Sequence, residues 1–215
     1  GWIIDYETNI WYYLDESGAM QTGWIDVDGE RYYLNESGQM QIGWIKINGI
    51  WYYSNTSGAM QTGWVFDGFK YYYLDESGVM QTGWINDGGE IYYLNESGAM
   101  QTGWLLDNDG KWYYLNESGA MQTGWIFNGI SYYYLDESGV MQTGWIDVDA
   151  ERYYLNESGA MQTGWINVNG ERYYLNQSGA MQIGWIFNEG NWYYLRDNGM
   201  MVVNDIIDGW IIDEN

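Results

Sequence analysis

The chain is predicted to be all-β, a repeat solenoid of stacked β-hairpins, and three observations predict it. A Gly-Trp pair recurs at Trp2, Trp24, Trp44, Trp64, Trp84, Trp104, Trp125, Trp145, Trp165 and Trp185, and Asp208-Gly209-Trp210 follows. The steps are 22, 20, 20, 20, 20, 21, 20, 20 and 20 residues, then 25, and a period of this length is the mark of a repeat architecture. Within each unit, aromatic and β-branched runs alternate around Asx-Gly pairs, and glycine recurs too often for helix. Finally, 15 Trp, 23 Tyr and 4 Phe in 215 residues supply far more ring surface than a disordered acidic chain carries.

Each element of a unit has its own justification. Trp44-Ile45-Lys46-Ile47 has strand character, Asn48-Gly49 punctuates, and Trp51-Tyr52-Tyr53 resumes. Asn-Gly between such runs predicts a type I′ turn, which needs two residues with positive φ. Asp28-Gly29, Asp67-Gly68, Asn128-Gly129 and Asn169-Gly170 stand at the same place. Asp149-Ala150 breaks the rule, so that turn is expected to be different or strained. A second turn follows at Asn35-Glu36-Ser37-Gly38 and its equivalents, where Asx first and Gly fourth suit type I. The chain then runs through Met and Thr into the next Gly-Trp.

One hairpin of this length cannot bury its own rings, whereas ten stacked hairpins can. The expected organisation is a single repeat domain of ten hairpins, 1–22, 23–42, 43–62, 63–82, 83–102, 103–123, 124–143, 144–163, 164–183 and 184–208, with a C-terminal cap 209–215. The expected core is a continuous column of Tyr, Trp, Leu, Ile and Met. Gly1-Trp2 already falls inside a unit, so the sequence is expected to belong to a longer protein.

Composition narrows function. With no Cys and no His there is no disulfide framework, thiolate zinc site, cysteine nucleophile or Ser-His-Asp triad. A net charge of −23 argues against nucleic acid as a partner. Apolar runs are far shorter than the roughly 20 residues needed to cross a bilayer, so no membrane insertion is expected. No metal or cofactor is expected. Asp107-Asn108-Asp109-Gly110 resembles part of a calcium loop, but the ligand spacing is missing and a hairpin turn explains it. Paired carboxylates could suggest a glycosidase. The Glu of Asn-Glu-Ser-Gly recurs hairpin after hairpin, however, whereas a catalytic pair is singular. These acids are read as solvating turns, and the chain is read as no enzyme.

Units such as Gly43-Trp44-Ile45-Lys46-Ile47-Asn48-Gly49-Ile50-Trp51-Tyr52-Tyr53, followed by Ser57-Gly58-Ala59-Met60-Gln61-Thr62-Gly63-Trp64, closely resemble the choline-binding (cell-wall-binding) repeats of bacterial and phage lytic enzymes and surface proteins. The resemblance covers essentially the whole chain. It implies a left-handed superhelix with about three hairpins per turn, and choline or phosphocholine bound between successive hairpins. Each cage would take the Gly-Trp tryptophan and the first aromatic of Trp-Tyr-Tyr from one hairpin, with an aromatic of the next hairpin and a Met completing it. It also implies a secreted or cell-surface, cell-wall-associated protein whose partner is a choline-bearing polymer. Glucan-binding repeats of glucosyltransferases and the oligosaccharide-binding repeats of clostridial toxins are similar. An oligosaccharide-binding module is therefore the alternative, and a structural stalk with few live sites is a third reading.

Choline's quaternary ammonium has no N–H to donate, so aromatic faces must hold it. Strand alternation selects the third wall: the middle Tyr points opposite to the first aromatic, hence toward the previous hairpin. The best candidate cages are Trp2, Trp11 and Tyr32; Trp44, Trp51 and Tyr72; and Trp104, Trp112 and Tyr133. Trp64, Tyr71 and Tyr92, and Trp125, Tyr132 and Tyr153, rank second. Trp185 and Trp192 need a partner from the irregular tail or from another chain. Arg31, Arg152 and Arg172 replace the first aromatic, where they either stack on the tryptophan and fill the slot or bind a sugar hydroxyl or phosphate. Ile91 replaces it in the fifth hairpin. The tail Met200-Met201-Val202-Val203 reads as a cap or as a homodimer patch at the C-terminal end.

Overall fold

The structure, a computed structural model, describes residues 1–212. Among them every regular element is a strand, and 22 strands pair consecutively as two-stranded antiparallel hairpins. The chain divides into two compact units, Gly1–Gly103 with Leu115–Met121, and Trp104–Tyr114 with the chain from Gln122 onward. The same hairpin pattern runs through each.

The third hairpin, Gly43–Ile47 with Ile50–Ser54, shows the pattern. Its register sets Trp44 opposite Tyr53, Ile45 opposite Tyr52 and Lys46 opposite Trp51. Side chains alternate between faces, so Trp44, Tyr53, Lys46 and Trp51 share one face while Ile45 and Tyr52 take the other. Tyr52 accordingly meets Trp24 of the second hairpin, with ring centroids 5.0 Å apart. This is the backward reach that alternation predicts.

Two backbone devices join successive hairpins. The Asx-x-Ser-Gly turn closes as type I, with the Gly38 amide donating to the Asn35 carbonyl (2.8 Å). The Asn35 side-chain oxygen also accepts from the Ser37 and Gln39 amides. The methionine that follows then donates its amide to the previous hairpin. Met40 reaches the Trp11 carbonyl (2.8 Å), Met60 that of Arg31 (2.7 Å), Met80 that of Trp51 (2.9 Å) and Met141 that of Trp112 (2.8 Å). The acceptor is a backbone carbonyl, so the link survives whether the residue carries an indole or a guanidinium. The turn glycine is needed twice over: Gly58 has φ +86°, and a Cβ there would stand 2.4 Å from Met40 Sδ.

The expected column of large rings is not the core. The fully buried side chains are chiefly the leucines that end each second strand: Leu34, Leu74, Leu94, Leu115, Leu135, Leu155, Leu175 and Leu195. The tryptophans and tyrosines are only partly covered, because two thin strands per unit offer too little protein to enclose them. The third hairpin departs from this pattern: Ser54 stands at the leucine position, fully buried, its hydroxyl without a hydrogen-bond partner.

The turns correct the sequence reading in part. Asp28-Gly29, Asn48-Gly49 and Asn169-Gly170 have two positive φ values, as type I′ requires. Asp149-Ala150 keeps the same turn and is strained, with Ala150 at φ +66°. Asp67-Gly68 and Asn128-Gly129 do not form it. Trp64 pairs with Tyr73 and Phe66 with Tyr71, so the loop spans Asp67–Lys70 and the Asp67 carboxylate accepts from the Phe69 and Lys70 amides. The Asx-Gly pair lies one residue too early there, and aromatic pairing rather than turn chemistry sets the register. Asp107–Lys111 is likewise a hairpin loop, in which the Asp107 carboxylate accepts from the Asp109 and Lys111 amides.

The tail is more regular than expected. Asp205–Ile207 pairs with Trp210–Ile212 around Asp208-Gly209, another turn with two positive φ values. The boundary drawn at 208/209 thus falls inside the turn of a further hairpin. Residues 213–215 of the expected cap lie outside the described residues.

Candidate functional site

The third hairpin and its successors assemble the fullest cage. Trp44 and Trp51 share a face, with centroids 6.2 Å apart and planes at 87°. Tyr72, on the opposite face of the fourth hairpin, closes the third side 4.6 Å from Trp44. Met80 and the Glu96-Ser97 turn of the fifth hairpin complete the lining of a cavity of about 310 Å³. Trp2, Trp11 and Tyr32 repeat the arrangement with Met40, Thr56 and Ser57 around about 280 Å³. Trp104, Trp112 and Tyr133 do so with Met141, Glu157 and Ser158 around about 240 Å³. The centroid distances agree from cage to cage: Trp2–Trp11 6.5 Å and Trp2–Tyr32 4.8 Å, Trp104–Trp112 6.3 Å and Trp104–Tyr133 4.8 Å. Trp11, Trp51 and Trp112 remain 40, 37 and 39% exposed, so each cage opens to solvent.

The second-ranked sets are assembled differently. Trp64 meets Tyr92 (4.8 Å) and Trp125 meets Tyr153 (4.9 Å). Tyr71, however, stacks on its cross-strand neighbour Phe66 (4.9 Å, 39°) and Tyr132 on Phe127 (4.8 Å, 37°). A flat cross-strand partner draws these rings into pairs along their own hairpins.

At the arginine positions the guanidinium stacks on the tryptophan of its own hairpin. The Cζ atoms lie 4.9 Å from the Trp24 centroid for Arg31, 5.1 Å from Trp145 for Arg152 and 4.6 Å from Trp165 for Arg172. Asp26 and Asp147 stand across the strand as weak, exposed ion pairs at 3.8 and 3.7 Å. Of the two options for these arginines, the stacked one is the arrangement observed.

Polar groups fix the outer edges of the rings. Trp64 Nε1 donates to Asp87 (3.0 Å), which also accepts from the Tyr73 hydroxyl (3.3 Å). Trp165 Nε1 donates to Asn188 (3.1 Å), whose amide donates to the Tyr174 hydroxyl (3.1 Å). The Asp67 carboxylate lies beside the Trp44 and Tyr72 side chains. The Lys70 amide is the largest influence holding its carboxyl below the ordinary value. Burial, and secondarily the charge of Asp67, push the Tyr72 hydroxyl up.

Trp185 and Trp192 find their partner in the tail. Their rings are 6.5 Å apart, and with Trp210, Ile211 and Ile212 they line a cavity of about 500 Å³. Trp185 Nε1 reaches Asp208 (3.4 Å).

Several cage residues were not singled out from the sequence. Met40, Met80 and Met141 were foreseen only as an unnumbered methionine. Glu96-Ser97, Glu157-Ser158 and Thr56-Ser57 were read only as turn residues. Their signal is an offset: each methionine lies one unit, and each turn pair two units, beyond the tryptophan it faces. The arrangement as a whole offers ring faces, a polarisable sulfur and, in two cages, a carboxylate, which suits a cation that cannot donate hydrogen bonds.

Profiles of known families agree with this geometry. That of the choline-binding repeat matches residues 1–42, 41–82, 81–124, 102–142 and 162–205, and that of a cell wall binding repeat matches 143–161. CbpJ from Streptococcus pneumoniae is 33% identical, with a TM-score of 0.68 over 99% of this chain and 98% of that one. Choline binding protein F from the same species is 29% identical, with a TM-score of 0.68 over 99% and 96%. The S. pneumoniae modular autolysin LytC is 29% identical, with a TM-score of 0.65 over 94% of this chain and 48% of that one. No curated protein sequence matches. With choline-binding repeat profiles along most of its length and aromatic clusters between its hairpins, the chain belongs to the choline-binding repeat family.

Proposed function

We propose that this chain is a non-catalytic module that anchors its protein to a cell wall by binding choline or phosphocholine on a teichoic-type polymer. The observation that carries the reading is the Trp44–Trp51–Tyr72 cage with Met80 beneath and Glu96 at its rim. Each cation–ring contact contributes about 0.5–2 kcal/mol, so three rings support a site in the millimolar range, near −4 kcal/mol. Repetition along one polymer then raises the avidity without a tight single pocket. The Trp2, Trp44 and Trp104 cages are the principal sites. Those at Trp64 and Trp125 are weaker, because Tyr71 and Tyr132 are engaged with phenylalanines.

The Trp24, Trp145 and Trp165 junctions carry their cation already, as an arginine, and are structural. The same stacking removes the reason to assign those arginines to a sugar or phosphate. The recurrent acids serve turns and cage rims rather than catalysis. The module works at the cell surface. The exposed Trp192, Trp210 and Ile211 offer its C-terminal end to a second copy of the chain.

The test is a titration with choline chloride against a matched sodium chloride control, following tryptophan emission and melting temperature. The salt control matters because a chain of charge −23 responds to any cation. A saturable, choline-specific change with a rise in melting temperature is expected. No response to choline beyond that to sodium would overturn the reading and direct attention to oligosaccharides.

A further inference from the structure

The three open cages share two tryptophans, a tyrosine and a methionine; they differ in a turn residue of the lining, Thr56 against Glu96 and Glu157, and in one residue that does not line the cavity. The latter stands three positions after the Gly-Trp tryptophan of the following hairpin: Asp67 for the Trp44 cage, Asn128 for the Trp104 cage and Val27 for the Trp2 cage. We propose that this residue sets the electrostatic strength of the cage before it, so that Asp67 strengthens its cage for a cation while Asn128 and Val27 leave theirs weaker. The inference rests on the choline reading and ranks its sites.

Asp67 and Asn128 occupy the same seat. The Asp67 carboxylate accepts from the Phe69 (2.9 Å) and Lys70 (3.0 Å) amides, and the Asn128 side-chain oxygen accepts from Ile130 and Ser131 (3.0 Å each). Beyond that shared seat the chemistry inverts. Asp67 carries its charge beside Trp44 and Tyr72, whereas Asn128 turns its amide N–H toward the Tyr133 hydroxyl (3.4 Å). The position is used repeatedly: Asp87 takes the Trp64 N–H, and Asn188 takes that of Trp165.

A carboxylate in the seat from which Asp87 accepts the Trp64 N–H places a full negative charge at the rim of the ring whose face meets the cation. At separations of about 6–8 Å across a rim open to solvent, where the dielectric is close to that of bulk water, such a charge changes cation affinity by roughly two- to fivefold. Glu96 and Glu157 stand equivalently in the two cages and leave the Asp/Asn difference in place. Lys46 does not: its Nζ lies 5.2 Å from the Trp51 ring and opposes an incoming cation. Variants within one cage, rather than a comparison of two wild-type cages, therefore isolate the effect.

The experiment is ¹⁹F NMR of the whole chain labelled with 5-fluorotryptophan, with the Trp51 and Trp112 signals assigned through Trp51→Phe and Trp112→Phe. Choline and its uncharged isostere 3,3-dimethylbutan-1-ol are titrated at constant ionic strength. Asp67→Asn should weaken choline roughly two- to fivefold at Trp51, and Asn128→Asp should tighten it by a similar factor at Trp112. The isostere should respond to neither substitution, a readout that a purely structural role would not give. Choline binding that ignores both substitutions, or an isostere that follows them equally, overturns this inference while leaving the choline reading intact. Choline that moves neither signal in the wild-type chain overturns both.

Discussion

The junction after the second hairpin and the junction after the third are built from the same parts, yet one is filled and the other open. Trp24 meets Tyr52 at 5.0 Å and Trp44 meets Tyr72 at 4.6 Å. Met60 and Met80 tie the following hairpins back to carbonyls at equivalent positions. Residues 31 and 51 differ in kind, and so do their cross-strand neighbours, Asp26 and Lys46. Arg31 lays a guanidinium on Trp24, whereas Trp51 stands as a second wall beside Trp44, with Lys46 Nζ over the Trp51 ring rather than over Trp44. The scaffold thus requires a backbone carbonyl at this position and a group near the tryptophan, but not a particular side chain. Stability and ligand capacity can vary independently along one array.

Removing the second wall should break the contrast most strongly. Trp51→Ala deletes one cation–π face and leaves the Met80 link untouched, because that link uses the Trp51 carbonyl. The expected loss at this cage is up to about 2 kcal/mol, roughly 30-fold in affinity. Calorimetric titration with choline should show one site fewer, with the melting temperature nearly unchanged. Undiminished stoichiometry would mean that Trp51 is not a wall.

The reciprocal change sharpens the same point. Arg31→Trp removes the built-in cation and supplies the missing face beside Trp24 and Tyr52. One added site is expected, with a gain at that junction of about 1 kcal/mol per new ring contact. The same titration should count it. If no site is gained, the arginines are not what closes these junctions.

Much of this contrast was legible in the sequence. The resemblance implies an aromatic of the next hairpin in each cage, and the period-2 rule, which sets the first aromatic and the middle tyrosine on opposite faces, selects Tyr32, Tyr72 and Tyr133. What lay beyond reach required knowledge of packing between units. The Glu96-Ser97 turn faces Trp44 across two units, and no local pattern reports that distance. The Phe66–Tyr71 pair was missed because only the structure shows that the ring turns along its own strand pair. Asp67-Gly68 carries the turn propensity but sits out of register with the Trp64–Tyr73 pairing, so it does not form the tight turn. The tail carried its Asp-Gly signal openly, but its strands are only three residues long.

The third hairpin holds an open cage above an imperfect core, which separates ligand capacity from stability in another way. Ser54 is the buried hydroxyl where neighbouring units place leucine. Ser54→Leu restores apolar contact and removes an unpartnered polar group, each alone contributing about 1–3 kcal/mol. Surrounding side chains have settled around the smaller residue, so a net gain of about 1 kcal/mol is expected, offset by overpacking. Chemical denaturation should show it, and the choline stoichiometry should not change.

The smallest effect lies at the turn of an arginine-filled hairpin. Ala150 takes φ +66° where Gly29, Gly49 and Gly170 stand in the equivalent turns. A side chain held in that region costs about 1–2 kcal/mol. Glycine relieves this but loses about 0.5–1 kcal/mol through the extra freedom of its unfolded chain. Ala150→Gly should therefore stabilise by roughly half a kilocalorie per mole, the difference of the two. The turn is remote from the ring faces, so choline affinity should stay constant. A destabilised Ala150→Gly would mean that the methyl group is held by contacts that compensate its backbone strain.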